Sequence, residues 1–174
     1  MGERGPGQAA SASEAATRTF SRDQIEKLLP QKPPFLFLDE ADLEERRVRA
    51  SYLLRGEEDF FRGHFPGNPT TPAAIVFEAL GQAGCLWLRA VGDKRASGEI
   101  LFAASDGARF FRKTCPGDRL ALEVVLLRTL GRVATFSGKV SVRGEEVARV
   151  KRLTLILLEE NGDGRKLAGD LSRR

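Results

Sequence analysis

The chain has 174 residues, 41% hydrophobic and 30% charged, a length and balance that suit one globular domain. Its 28 Lys and Arg against 24 Asp and Glu leave a net charge of +4, too diffuse for a nucleic-acid surface, and one Trp with one Tyr beside 11 Phe argue against a base-stacking platform. The two cysteines, Cys85 and Cys115, stand at no metal-ligand or redox spacing and there is one histidine, so no metal is expected and the thiols read as free in a reducing cytoplasm.

Residues 1–19 are rich in Gly, Ala, Ser and Thr and hold no apolar block long enough for a signal peptide. They are expected to form a disordered leader, followed by one domain over 20–160 and a flexible tail over 161–174. Ser21 to Leu29 reads as a short helix, with Ser21 as N-cap and Gln24 at the capping-box position. Pro30, Pro33 and Pro34 end it. Phe35 to Leu38 is expected as a short apolar strand and Arg46 to Leu54 as a second.

The next segment, Gly63-His64-Phe65-Pro66-Gly67-Asn68-Pro69-Thr70-Thr71-Pro72, is stiffened by its prolines and holds the lone imidazole. Histidine is the side chain whose ordinary pKa allows proton traffic near neutral pH. A long helix follows, with Thr71 expected as N-cap and Pro72 at the first helical position. The 20 residues Pro72 to Val91 are long enough to cross a bilayer, but Glu78, Gln82 and Arg89 interrupt them. A buried core helix is therefore expected, not a membrane span. Ala74, Glu78, Gly81, Gln82 and Cys85 share one small or polar side, and bulky residues fill the rest.

After Gly92 the pattern turns to strands: Glu99 to Ala104, then Asp118 to Leu130, Arg132 to Arg143 and Glu145 to Leu158, broken at Gly131 and Gly144. Long strands joined by short turns imply an antiparallel meander. The fold class expected is α+β, one sheet covering one long buried helix. His64 and Glu78, a base and an acid on either side of a helix start, make a constellation suited to proton transfer.

The stretches Gly63 to Pro69 and Pro72 to Ala83 resemble the active-site signature of the FabZ-type 3-hydroxyacyl-[acyl-carrier-protein] dehydratases. Leu29 to Asp39, Phe102 to Phe110 and Pro116 to Leu120 are similar to that family's flanking motifs in the same order, so the resemblance covers roughly residues 22–158. It implies a hot-dog fold, a curled antiparallel sheet wrapped around the long helix. It further implies a homodimer, open to assembly as a trimer of dimers, with His64 of one protomer facing Glu78 of the other.

The reaction so implied removes water from a (3R)-3-hydroxyacyl thioester carried on the phosphopantetheine of acyl carrier protein, with no further cofactor. His64 would be the base at C2 and Glu78 the acid at the leaving hydroxyl, its charge disfavoured by burial. The free N–H groups of Ala73 and Ala74 at the helix start would hold the thioester carbonyl. The family usually carries glycine where this chain has Ala73, and histidine where it has Gln31. Gln82 is expected to orient Glu78 or to satisfy a buried neighbour, next to the substrate. Arg109, Arg112, Lys113 and Arg119 are expected to dock the acidic carrier protein.

Three other readings share the fold. Asp59 and His64 stand five apart, as in an (R)-specific enoyl-CoA hydratase, but the flanking residues do not match and Glu78 would have no role. A thioesterase has little need for His64. A non-catalytic scaffold is favoured only by Ala73. Isomerase relatives carry Asp at the acid position, so Glu78 leans against an isomerase step.

Overall fold

A computed structural model describes residues 17–91 and 98–158. In chain order these form β1 (Arg18–Ser21), α1 (Arg22–Leu28), β2 (Glu40–Leu43), β3 (Arg47–Leu53), α2 (Phe60–Gly63), α3 (Ala73–Val91), β4 (Ile100–Asp106), β5 (Arg109–Phe110), β6 (Arg119–Leu130), β7 (Val133–Val142) and β8 (Glu145–Leu157).

The strands make one antiparallel sheet in the order β1-β2-β3-β6-β7-β8-β4, with β5 also pairing β8. The three long strands are joined as the glycines predict. Val142 pairs with Glu145, so Arg143 and Gly144 form a two-residue turn. Both have positive φ, 51° and 83°, as a hairpin turn matched to strand twist requires. Buried and exposed residues alternate along β6, from Leu120 through Leu122 and Val124 to Leu126, which puts one face of the sheet on the helix.

That helix, α3, packs on β3, β6, β7, β8 and α1. Every residue from Ala79 to Trp87 is buried. Helix and sheet approach closely because both lack side chains where they meet. A Cβ on Gly84 would lie 2.9 Å from Leu155, and one on Gly138 would lie 3.0 Å from Leu80. By length and composition α3 is apolar enough to cross a membrane, yet it is the core of this domain.

Several expectations need correction. Phe35 to Leu38 joins no strand ladder. Its main chain bonds instead to a helix side chain: Phe37 N–H donates to Gln82 Oε1 at 2.8 Å, and Phe35 C=O accepts from Gln82 Nε2 at 3.0 Å. An amide side chain thus takes the place of a neighbouring strand. Arg18 and Thr19, read as the end of a leader, lie in β1 opposite Leu43 and Asp42. Neither β1 nor β2 was expected, because each has few apolar residues and their pairing supplies the stabilisation. Residues 1–16 and 161–174 lie outside the described residues.

Candidate active site

The loop that carries His64 is closed by its own main chain. Short helix α2 ends when His64 N–H donates to Phe60 C=O at 2.9 Å. Asn68 N–H then returns to Phe65 C=O at 2.9 Å, and Thr70 N–H donates to His64 C=O at 2.8 Å. The imidazole is held by the same residue, since Nδ1 lies 2.8 Å from Thr70 C=O. A carbonyl can only accept, so Nδ1 carries the proton and neutral His64 presents a bare Nε2. The ring also stacks on Phe65, with centroids 4.2 Å apart. Tautomer and orientation are both fixed before any ligand arrives.

His64 lines a cavity of about 440 Å³ together with Thr71, Ala73, Val76, Phe110, Phe111, Arg112, Lys113, Thr114, Val147 and Ala148. The cavity therefore meets the start of α3. Thr71 is not the N-cap expected: its N–H and its hydroxyl both donate to Thr114 C=O, at 2.8 and 3.1 Å. Capping falls to Pro72, whose carbonyl accepts from Ile75 at 3.0 Å and Val76 at 3.4 Å. The N–H groups of Ala73 and Ala74 precede these and have no helical acceptor. Both residues are exposed. The positive end of the helix adds to their pull on a developing negative charge.

Glu78 and Gln82 are not among the residues lining this cavity. Glu78 is half-buried, and its Oε1 accepts from Gln82 Nε2 at 3.0 Å. Gln82 is fully buried, and its remaining polar capacity goes to Phe35 and Phe37. One chain alone does not bring His64 and Glu78 into one cavity.

The four basic candidates separate. Lys113 and Arg112 line the cavity, with Lys113 Nζ 3.3 Å from Asn68 Oδ1 and Arg112 ion-paired to Glu145. Arg109 is exposed beside Phe110 on β5. Arg119 starts β6 and donates to Ser51 Oγ at 3.2 Å, away from the cavity lining. Sequence reasoning missed Phe110, Phe111 and Thr114 as lining residues. Two adjacent aromatics before two cations were the available signal for the first pair; Thr114 acts through its carbonyl and leaves none. Among the described residues, no three His, Cys, Asp or Glu side chains gather as a metal site.

A family model described as a FabA-like domain matches residues 29–151. The 3-hydroxyacyl-[acyl-carrier-protein] dehydratase FabZ of Proteus mirabilis is 44% identical over 131 residues, 73% of this chain and 87% of that protein. The FabZ of Pectobacterium atrosepticum is 42% identical over 133 residues, covering 74% and 87%. Among solved structures, the dehydratase heterocomplex ApeI:P from Xenorhabdus doucetiae superposes with a TM-score of 0.68 at 17% identity, over 78% of this chain and 91% of that one. These neighbours show the hot-dog fold.

Proposed function

Since the chain belongs to the FabZ-type 3-hydroxyacyl-[acyl-carrier-protein] dehydratase family, we propose that His64 and Glu78 carry out its dehydration reaction from opposite sides of a subunit interface. The enzyme acts on 3-hydroxyacyl chains held by acyl carrier protein, in fatty-acid synthesis. The observation that carries the residue assignment is the His64–Thr70 clamp, which leaves a bare Nε2 in a cavity shared with the start of α3.

In this reading Nε2 of His64 takes a proton from C2 of the (3R)-3-hydroxyacyl thioester. The electrons released build negative charge on the thioester oxygen, which accepts from the N–H groups of Ala73 and Ala74. As the C2–C3 double bond forms, the C3–O bond breaks and Glu78 protonates the departing hydroxyl, giving water and a trans-2-enoyl thioester. Acid/base chemistry of this kind asks for no cofactor of its own.

Glu78 is assigned to the partner subunit's site because its own chain's cavity excludes it. Among the described residues the sheet ends on β4, whose outer edge has no neighbouring strand, and the ring of Phe102 in that strand is 41% exposed. A second copy placed along that edge would cover both, and it would set α3 against α3. Lys113, Arg112 and Arg109 are proposed to guide the acidic carrier, and Phe110 and Phe111 to flank the pantetheine arm. The reducing cytoplasm is the compartment that free Cys85 and Cys115 suit.

The test is hydration of crotonyl thioester, on carrier protein and on coenzyme A, by wild type, His64→Ala and Glu78→Gln. The expected result is activity that prefers carrier protein and collapses in both variants. Wild-type turnover retained by either variant would remove that residue from the mechanism.

A further inference from the structure

We infer that Thr71 is a positioning residue whose hydroxyl, bonded to Thr114 C=O, keys the clamp on His64 to the free N–H groups at the start of α3. The inference rests on the reading of His64 as the base and of Ala73 and Ala74 as holders of the thioester carbonyl. It adds the residue that sets one against the other.

Two donors of one residue converge on one acceptor. Thr71 N–H lies 2.8 Å and its hydroxyl 3.1 Å from the carbonyl oxygen of Thr114. That oxygen has two lone pairs, and the two bonds occupy both. A single bond would let Thr71 swing about it, whereas two from the same residue fix its orientation. Thr71 and Thr114 are 6% and 4% exposed, so water offers the hydroxyl little competition. The two residues stand 43 apart in the chain. The latch therefore ties the helix start to the segment from Phe110 to Thr114, which lines the same cavity.

Little slack separates the latch from the groups on either side of it. On the loop side, Thr71 N–H and Thr70 C=O belong to one planar peptide. Its N–H is held by Thr114, and its C=O lies 2.8 Å from His64 Nδ1. Fixing Thr71 thus fixes the carbonyl that orients the imidazole. On the helix side only Pro72 intervenes, and its ring sets φ at about −65°. Its carbonyl is turned into the helix, where it accepts from Ile75 at 3.0 Å and Val76 at 3.4 Å. The N–H of Ala73 shares that trans peptide and points the opposite way, out of the helix start. One residue stands between the base and the carbonyl holder, and its hydroxyl is the bond that stops it turning.

Thr71→Val removes the hydroxyl while keeping the side chain's shape and the N–H bond. The test measures kcat and KM for hydration of crotonyl thioester on carrier protein and on coenzyme A. Alongside it runs the infrared carbonyl stretch of bound butyryl-coenzyme A, a thioester that cannot react. Small misplacements of reacting groups cost up to about 10²-fold, and the expected result is a fall of about tenfold in kcat on both carriers, with KM little changed. The carbonyl stretch, lowered when wild type binds the thioester, should move back towards its value in water. Thr71→Ser, which restores the hydroxyl, should recover most of both losses. An unchanged kcat with a lower melting temperature would overturn the inference, as would a loss confined to carrier-bound substrate or a Ser variant no better than Val. If Thr71→Val does not fold, Thr71→Ala makes the same comparison. A wild type that left the carbonyl stretch unmoved would instead remove Ala73 and Ala74 as holders, so failure of that reading is distinct from failure of the latch.

Discussion

The middle of α3 and its start are held in place by different means. From Ala79 to Trp87 the helix is enclosed, and its position follows from contacts such as Gly84 against Leu155 and Leu80 against Gly138. At Ala73 and Ala74 it is exposed, and what surrounds it is held by main-chain hydrogen bonds: Thr71 to Thr114, and Thr70 to His64. The middle of the helix therefore stabilises the fold by burial, whereas its start presents polar groups that packing would have hidden. The proposed chemistry sits where the sheet stops covering the helix.

The sharpest way to break this contrast is to set His64→Ala beside Leu80→Ala. Removing the half-buried imidazole should cost about 10² to 10⁴ in rate and leave the melting transition where it was. Removing the fully buried Leu80 side chain should cost about 2–5 kcal/mol of stability in a denaturant melt, while the protein that remains folded keeps its kcat. A large loss of stability in His64→Ala would mean that the loop belongs to the core after all.

A smaller effect tests the rim. Lys113 lines the cavity with its Nζ 3.3 Å from Asn68 Oδ1, whereas Arg112 there is ion-paired to Glu145. Lys113→Glu is expected to raise KM for carrier-protein substrate by about three- to tenfold, and KM for the coenzyme A thioester much less, because a rim charge acts on encounter. Equal changes for both carriers would place Lys113 on the thioester instead.

The mildest test compares the two thiols. Burial pushes Cys85 from its ordinary 9.0 up to about 12, so the folded state gains from keeping it protonated. That contribution is intact below about 9 and is lost as pH rises towards 12. At pH 9 a thiol reagent should label the partly exposed Cys115 and reach Cys85 only on unfolding. Equal labelling would show that the enclosed middle of α3 opens readily.

The sheet meander, the long helix and His64 were legible in the sequence because each leaves a local trace: alternation, an apolar run after proline, and a unique residue type. Phe35 to Leu38 looked like a strand because four apolar residues in a row carry no sign of whether their partner is a ladder or the amide of Gln82. Thr71 had the chemistry of a cap, but Thr114, distant in sequence, captured its hydroxyl. The tautomer of His64 depends on the carbonyl of Thr70, and every residue has a carbonyl. Glu78 was read as enclosed, yet it lies on the helix face that a single sheet leaves half-covered.

The central claim is that each site takes His64 from one subunit and Glu78 from the other, and mixing the two inactive variants tests it most directly. When His64→Ala and Glu78→Gln chains are unfolded together and refolded, half of randomly paired dimers are mixed and each holds one intact site, so activity should return to about a quarter of wild type. A mixture as inactive as its parents, with mixed dimers verified by mass, would contradict the shared site.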